Sequence, residues 1–139
     1  MDQTNFPKRI LVVDDNKEAA DITAELLGMY GYQTMVAYTG RAGLETARTF
    51  DPQVILLDLG MPVMDGYQVA GALRALPDFD QVALIAFTAW GDPVTRQRVR
   101  DTGFDEHIVK PSNMDIILKG IDKALVARAA ASLEWANGN

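Results

Sequence analysis

ILVVDD at residues 10–15 is a short aliphatic run closed by two acids. A run this continuous, rich in Ile and Val and stopped by charge, reads as a strand buried on both faces. The same grammar recurs in VILLD at 54–58, VALIAFT at 82–88 and HIVK at 107–110, which close on Asp58, Thr88 and Lys110. If these runs are parallel strands, Asp14, Asp15, Asp58, Thr88 and Lys110 are carried to one rim of a sheet.

The intervening stretches support parallel pairing. Asn16 to Met29 places Ala19, Ile22, Leu26 and Met29 at helical spacing, Gln33 to Tyr38 alternates like a further strand, and Gly40 to Phe50 and Tyr67 to Leu76 read as helices. Asp92-Pro93 is a helix start, with the end near Thr102-Gly103. Ser112 to Asp115 has capping-box spacing before a last helix whose buried side is marked by Leu118, Ile121 and Leu125. Strands that each lead into a helix imply right-handed crossovers and a doubly wound α/β domain, a five-stranded parallel sheet with helices on both faces. Ligands of such sheets bind beyond the carboxyl ends of the strands.

At 139 residues the chain is one domain of ordinary size, and 48% apolar with 23% charged residues is a globular composition. A net charge of -6 argues against direct nucleic-acid binding, and Arg96, Arg98 and Arg100 read as one solvated helix face. The absence of cysteine excludes disulfides and thiolate metal sites. The start MDQTNFPKR has no apolar stretch of a signal peptide, and no segment reaches the roughly 20 apolar residues of a membrane span, so a cytoplasmic protein is expected.

Carboxylates gathered at one rim raise each other's pKa unless a cation lies among them. An incomplete acidic cage suits Mg2+, which keeps waters and takes a phosphate oxygen. A carboxylate beside such an ion can attack phosphorus, and the phosphoryl oxygens then need a cation and a hydroxyl donor. Lys110 and Thr88 supply these, leaving Asp58, on the expected central strand, as the nucleophile. Singly, each residue has a plainer role open to it. Asp14-Asp15 suits a helix N-cap, Asp58 a turn before Gly60 and Pro62, and Thr88 or Lys110 a cap or a solvated charge. Their joint placement at successive strand ends is what points to phosphoryl chemistry.

From roughly Lys8 to Ala127, through ILVVDDN, VILLDLGMPVMDGYQV, LIAFTAW and GFDEHIVKP, the chain resembles the response-regulator receiver domain of two-component signalling. The resemblance implies the flavodoxin-like strand order 2-1-3-4-5. It also implies transfer of a phosphoryl group to Asp58 from a histidine kinase or phosphotransfer protein, switching contacts with a downstream protein target. Mg2+ would be bound by Asp15, Asp58 and the backbone carbonyl of Gly60, with Asp14 helping through water. Thr88 and Lys110 would contact the phosphoryl oxygens, and the Lys110-Pro111 bond would be cis. In the family the threonine moves inward on phosphorylation and an aromatic ring on the fifth strand follows. Here that position is His107, a departure from Tyr or Phe that leaves two readings, a partly exposed strand residue or a weaker, pH-sensitive switch ring. Gly60 and Trp90 occupy positions that tune phosphoryl lifetime in the family, Gly60 leaving room for water and Trp90 able to roof the site.

Receivers often precede an output domain, but after Leu125 only VARAAASLEWANGN remains. The expected organisation is a receiver at 1–127 and a helical extension and tail at 128–139 with no output domain, Trp135 docking on the domain or a partner. A full-length chain of this kind would act by protein contact or as a phosphoryl shuttle, and a fragment would lack its output. Pairing of two copies through the last two helices and fifth strand is a further expectation from the resemblance. A pseudo-receiver, a binding module that keeps the fold without phosphorylation, is the second reading; its mark would be a lost acceptor, lysine or acidic pair, and all are present. Flavin, P-loop and haloacid dehalogenase-type sites lack their loops or spacing here.

Overall fold

Three apolar strands with no wet face need cover on both sides, and the chain provides it with helices above and below one sheet. The computed structural model describes residues 8–138, with side chains described to 133. The elements are β1 (Arg9–Val13), α1 (Lys17–Met29), β2 (Gln33–Ala37), α2 (Gly40–Phe50), β3 (Val54–Leu57), α3 (Gly66–Arg74), a single 3-10 turn (Pro77–Phe79), β4 (Ala83–Thr88), α4 (Pro93–Thr102), β5 (Glu106–Val109) and α5 (Met114–Gly138). The sheet is parallel throughout with order β2-β1-β3-β4-β5.

β3 and β4 are buried along their whole length and β1 nearly so, whereas β2 and β5 alternate or are half-covered, as edge strands are. Successive side chains point to opposite faces, which divides the core in two. Leu11, Val13, Ile55, Leu57 and Leu84 pack with Ala47, Val69, Leu73 and Val99 of α2, α3 and α4. Ile10, Val12, Val54, Leu56 and Ile85 pack with Ala24, Leu27, Ile117 and Ile121 of α1 and α5.

The helical spacing in α1 does not by itself say which stripe meets the sheet: Ile22, Leu26 and Met29 are 51%, 40% and 79% exposed, and the helix meets the sheet through Ala20, Ala24 and Leu27. Both stripes have helical spacing, and the one with small side chains lets the helix lie close to β1. Arg96, Arg98 and Arg100 do not form one face, since residues two apart diverge around a helix. Arg98 stacks on the Tyr67 ring at 3.7 Å from its centroid, while Arg96 and Arg100 border a cleft beside His107.

The helix starts are side-chain capped. Asn16 accepts from Ala19 N, Asp65 and Gln68 form a reciprocal capping box, and Asp92 accepts from Thr95 N ahead of Pro93. α4 ends at Gly103 with φ 107°, a left-handed position that glycine adopts without strain. The cap of α5 is Asn113 rather than Ser112: Asn113 Oδ1 accepts from Ile116 N at 2.9 Å. Asn and Ser cap about equally well, and with Asn113 in the role the helix starts one residue later than the Ser112 spacing implies.

α5 is anchored well beyond Leu125. The Asp105 carboxylate, buried between β4 and β5, accepts from Arg74 Nη2 at 2.8 Å, from Arg128 Nε at 3.1 Å and Nη2 at 3.0 Å, and from Leu84 N at 2.9 Å. The two guanidiniums also bond the carbonyls of Gly103, Phe79 and Asp80. Gln81 and Ser132 add a hydrogen bond one turn further. The side chain of Trp135, expected to dock, lies outside the described residues.

Asp105→Ala leaves two mostly buried guanidiniums facing each other without their shared carboxylate. Chemical denaturation should show a loss of about 3 kcal/mol, and Arg128→Ala, which keeps the Arg74 pair, a smaller one.

Candidate functional site

Strand register delivers the site. Val13 pairs with Leu57, and Leu57 with Ala86, so the chain leaves β1, β3 and β4 at nearly one level. The ladder continues one step past the strands: Asp14 N donates to Ala37 O, Asp58 N to Val13 O and Lys110 N to Thr88 O. The backbones of the polar residues are therefore fixed by the sheet before any side chain interacts.

Asp14, Asp15 and Asp58 converge so that one carboxylate oxygen from each lies within 4.8 Å of the others. Asp14 is buried, Asp58 half-buried and Asp15 exposed, which grades the cluster from protein interior to solvent. Asp14 is held by Asn16 N, which donates to its Oδ1 at 3.0 Å. Lys110 Nζ meets Asp14 Oδ2 at 2.6 Å and Asp58 Oδ2 at 3.8 Å, with the Phe87 ring 5.1 Å below it. One ammonium thus contacts two of the three carboxylates.

Burial raises the pKa of Asp58 above the usual carboxylate value, and the Asp14 charge adds to the rise; Lys110, Gly60 N and the Thr88 hydroxyl pull it down. The raised value shows that the charge on this carboxylate is under-compensated. The donor set suits a hard divalent cation, carboxylate oxygens at a solvent-facing mouth with excess negative charge.

The remaining singled-out residues surround this cluster. Thr88 is buried at the end of β4. Lys110-Pro111 is cis. Gly60 follows Asp58 by two residues, and a Cβ placed on it would lie 2.9 Å from Cη2 of Trp90, so the indole rests against the loop that follows Asp58. His107 on β5 reaches the loop between β4 and α4 that carries the indole, with Nε2 2.9 Å from Trp90 O.

Two contributors were not singled out from the sequence. Gly66 opens α3 directly beneath the acceptor: a Cβ there would lie 2.3 Å from the Asp58 carbonyl, so only glycine fits. Its signal in the sequence is the Asp65-Gly66 pair just ahead of the helical stretch from Tyr67. The second is an open apolar groove of about 470 Å3 beside Lys110 and Pro111, lined by Ala19, Ile22 and Thr23 of α1 together with Phe87 and Ala89. It became visible only once the outward face of α1 was known.

Comparison with known proteins agrees with this geometry. A family model described as the response regulator receiver domain matches residues 10–122. The transcriptional regulatory protein KdpE of Mycobacterium tuberculosis is 37% identical over 127 residues, which is 90% of this chain and 54% of that protein. The polar-differentiation response regulator DivK of Brucella anthropi is 28% identical, covering 86% of this chain and 98% of its own length. The CAI-1 autoinducer sensor kinase/phosphatase CqsS of Vibrio cholerae is 29% identical over 87% of this chain but only 18% of its own. The chain therefore spans about half of KdpE and less than a fifth of CqsS, but nearly the whole of DivK. Among solved structures, the chemotaxis response regulator CheY4 of Vibrio cholerae superimposes with a TM-score of 0.80 at 28% identity, covering 86% of this chain and 99% of that one.

The electrostatics predict a trade of stability for charge. A carboxyl whose folded pKa is raised contributes stability below its unfolded pKa, and that stability is lost as pH rises through the folded value. Asp58→Asn fixes the neutral state at all pH values. In chelator at neutral pH it should unfold later than the parent by on the order of 1 kcal/mol, the scale of one partly wet like-charge contact. Added Mg2+ should stabilise the parent and have much less effect on the variant, as thermal unfolding in both conditions will show.

Proposed function

The chain belongs to the response regulator receiver family, and on that premise we propose that it accepts a phosphoryl group on Asp58 from a histidine kinase or phosphotransfer protein and passes the change to a downstream protein target. The observation that carries this reading is the half-buried Asp58 carboxylate at the end of central β3, 3.8 Å from the Lys110 ammonium and beside two further acids.

In this reading Asp14, Asp15, Asp58 and the Gly60 carbonyl would hold Mg2+, which would supply positive charge to the acidic cluster and to the phosphoryl oxygens. Asp58 attacks phosphorus, the bond between phosphorus and the donor imidazole breaks, and the imidazole, already protonated on its other nitrogen, leaves as a neutral ring. Lys110, within reach of Asp14 and Asp58 alike, offers its ammonium to a phosphoryl oxygen. Thr88 offers its hydroxyl to another oxygen from the neighbouring strand end. Asp15, exposed at the mouth, keeps the cage open toward the donor.

The outward stripe of α1 suits a donor's helical surface. Ile22, Leu26 and Met29 are exposed, and the groove between α1 and Pro111 brings an apolar contact to the edge of the acceptor site. A donor docked there presents its histidine over the rim where Asp58 opens. The reading extends to a receiver unit ending near residue 127 with the rest of α5 as an extension, to a cytoplasmic setting, and to pairing of two copies as one route of output. For the coarser point, no described helix is long and apolar enough to cross a membrane.

Intact mass after incubation with acetyl phosphate is the direct test. The parent should gain one phosphoryl group in Mg2+ and none in chelator, Asp58→Asn should gain none, and Lys110→Ala should label at least about tenfold more slowly, having lost a transition-state cation. A parent that binds Mg2+ yet takes no phosphoryl group from acetyl phosphate or from a histidine donor would be a phosphorylation-independent binding module instead.

A further inference from the structure

The strand that ends at Thr88 carries one aromatic residue, Phe87, and its ring lies under the Lys110 ammonium, with Nζ 5.1 Å from the ring centroid. Strand alternation brings the two together. Ile85, Phe87 and Ile108 share the core against α1 and α5, and Lys110 follows Ile108 by two residues, with its N–H continuing the ladder to Thr88 O. Its side chain therefore leaves the sheet on the face where Phe87 lies. Phe87 is 8% exposed and packed in that core, so its ring is a fixed platform.

The ammonium has use for such a support. Its stem borders the open groove beside Pro111, and a lysine stem is flexible enough to swing its charge out into water. Its charged partners at the rim are Asp14, at 2.6 Å, and Asp58, at 3.8 Å. Both belong to the acidic cluster, so a divalent cation taken up by that cluster weakens their pull on the lysine. The ring is uncharged. It attracts the ammonium through the negative face of its π-system, and this hold does not depend on how the acids are neutralised. Such a contact strengthens as it loses water, and the Lys110 side chain is only 24% exposed.

We propose that Phe87 is a positioning residue for phosphoryl transfer: the face of its ring seats the Lys110 ammonium at the rim and keeps it there while the acids are shared with a cation, ready for the incoming phosphoryl oxygens. This rests on Asp58 being the phosphoryl acceptor. Phe87 acts only through the lysine, and the bonds formed and broken at Asp58 and at the donor are unchanged by it. An aliphatic side chain at this position would fill the core but offer the ammonium no negative face, so the aromatic residue bears on the lysine as well as on packing.

The test replaces Phe87 site-specifically with mono-, di- and trifluorinated phenylalanine, which drain the negative charge from the ring face step by step at nearly constant shape. Thermal unfolding in chelator, in the parent and in Lys110→Met backgrounds, reads the seat. The rate of labelling by acetyl phosphate in saturating Mg2+ reads the positioning. In the parent background we expect the melting temperature and the labelling rate to fall with each fluorine, labelling by about three- to tenfold at the trifluorinated ring, the range between exposed and desolvated cation–π contacts. In Lys110→Met the melting temperature should be flat across the series. A flat series in the parent, or equal slopes in both backgrounds, overturns the seat. A slope in unfolding with an unchanged labelling rate overturns the positioning role. Phe87→Leu is the aliphatic check: with circular dichroism matching the parent it should label as slowly as the trifluorinated protein, and labelling at the parent's rate overturns the positioning role as well. Should Phe87→Leu fail to fold, the fluorinated series decides alone. A parent that never takes label refutes the reading of Asp58, the positioning role falls with it, and unfolding alone decides the seat.

Discussion

Parallel pairing of strands that have no polar face is the constraint from which the rest of the structure follows. Such strands tolerate polar residues only where the chain leaves the sheet, and in a parallel sheet every chain leaves in the same direction. Asp14, Asp58, Thr88 and Lys110 are brought together by that rule before any attraction between them acts. Once assembled the carboxylates repel: three lie within 4.8 Å of one another while the Lys110 ammonium contacts two of them, and the hydrophobic cores on the two faces hold them in place. The site is the part of the molecule where the fold works against its own electrostatics, as expected of groups held for chemistry rather than for stability.

This explains why so much could be read in advance. The identity of a buried strand and of the residue closing it is local information, written in four short runs, and the parallel topology follows from the helices between them. What was illegible depends on contacts between distant segments. α1 carries two apolar stripes with the same period, and which one meets the sheet depends on how closely the helix approaches β1. Asp105 looked like one acid in GFDEHIVKP, but its partners are Arg74 and Arg128, 31 and 23 residues away, and neither lies in a recognisable pattern with it. The rest of Trp90 against Gly60 is equally non-local. The shift of the last cap from Ser112 to Asn113 was a near miss of a different kind, because two capping residues stood side by side.

The loops at the rim divide the labour. The β3–α3 loop is fixed by Gly66 packing on the Asp58 carbonyl and includes Val63 at φ 69°, a left-handed conformation costly for a β-branched residue, bracketed by a Met64 N to Pro62 O hydrogen bond of 2.7 Å. The β4–α4 loop is held through β5 instead. Acceptor and covering residue thus belong to segments with separate supports, so one can shift without dragging the other. The outward stripe of α1 borders a third side of the same mouth, and the exposed Asp15 stands where these surfaces meet.

The bonds from Arg128 to Asp105 and from Ser132 to Gln81 have a mechanical consequence. α5 has 25 residues, about 37 Å at 1.5 Å of rise per residue. The ties at Arg128 and Ser132 act as a fulcrum beyond the sheet-packed turns. From Arg128 to Gly138 the helix runs about 15 Å further, so a tilt of about 10° at the fulcrum displaces its tip by about 2.6 Å, somewhat more than the roughly 1–2 Å helix shifts of switching interfaces. The buried carboxylate of Asp105 follows directly from β4 through Leu84 N and stands two residues before His107. A rearrangement of β5 would therefore be delivered to the helix as rotation, with gearing set by where the arginine grips.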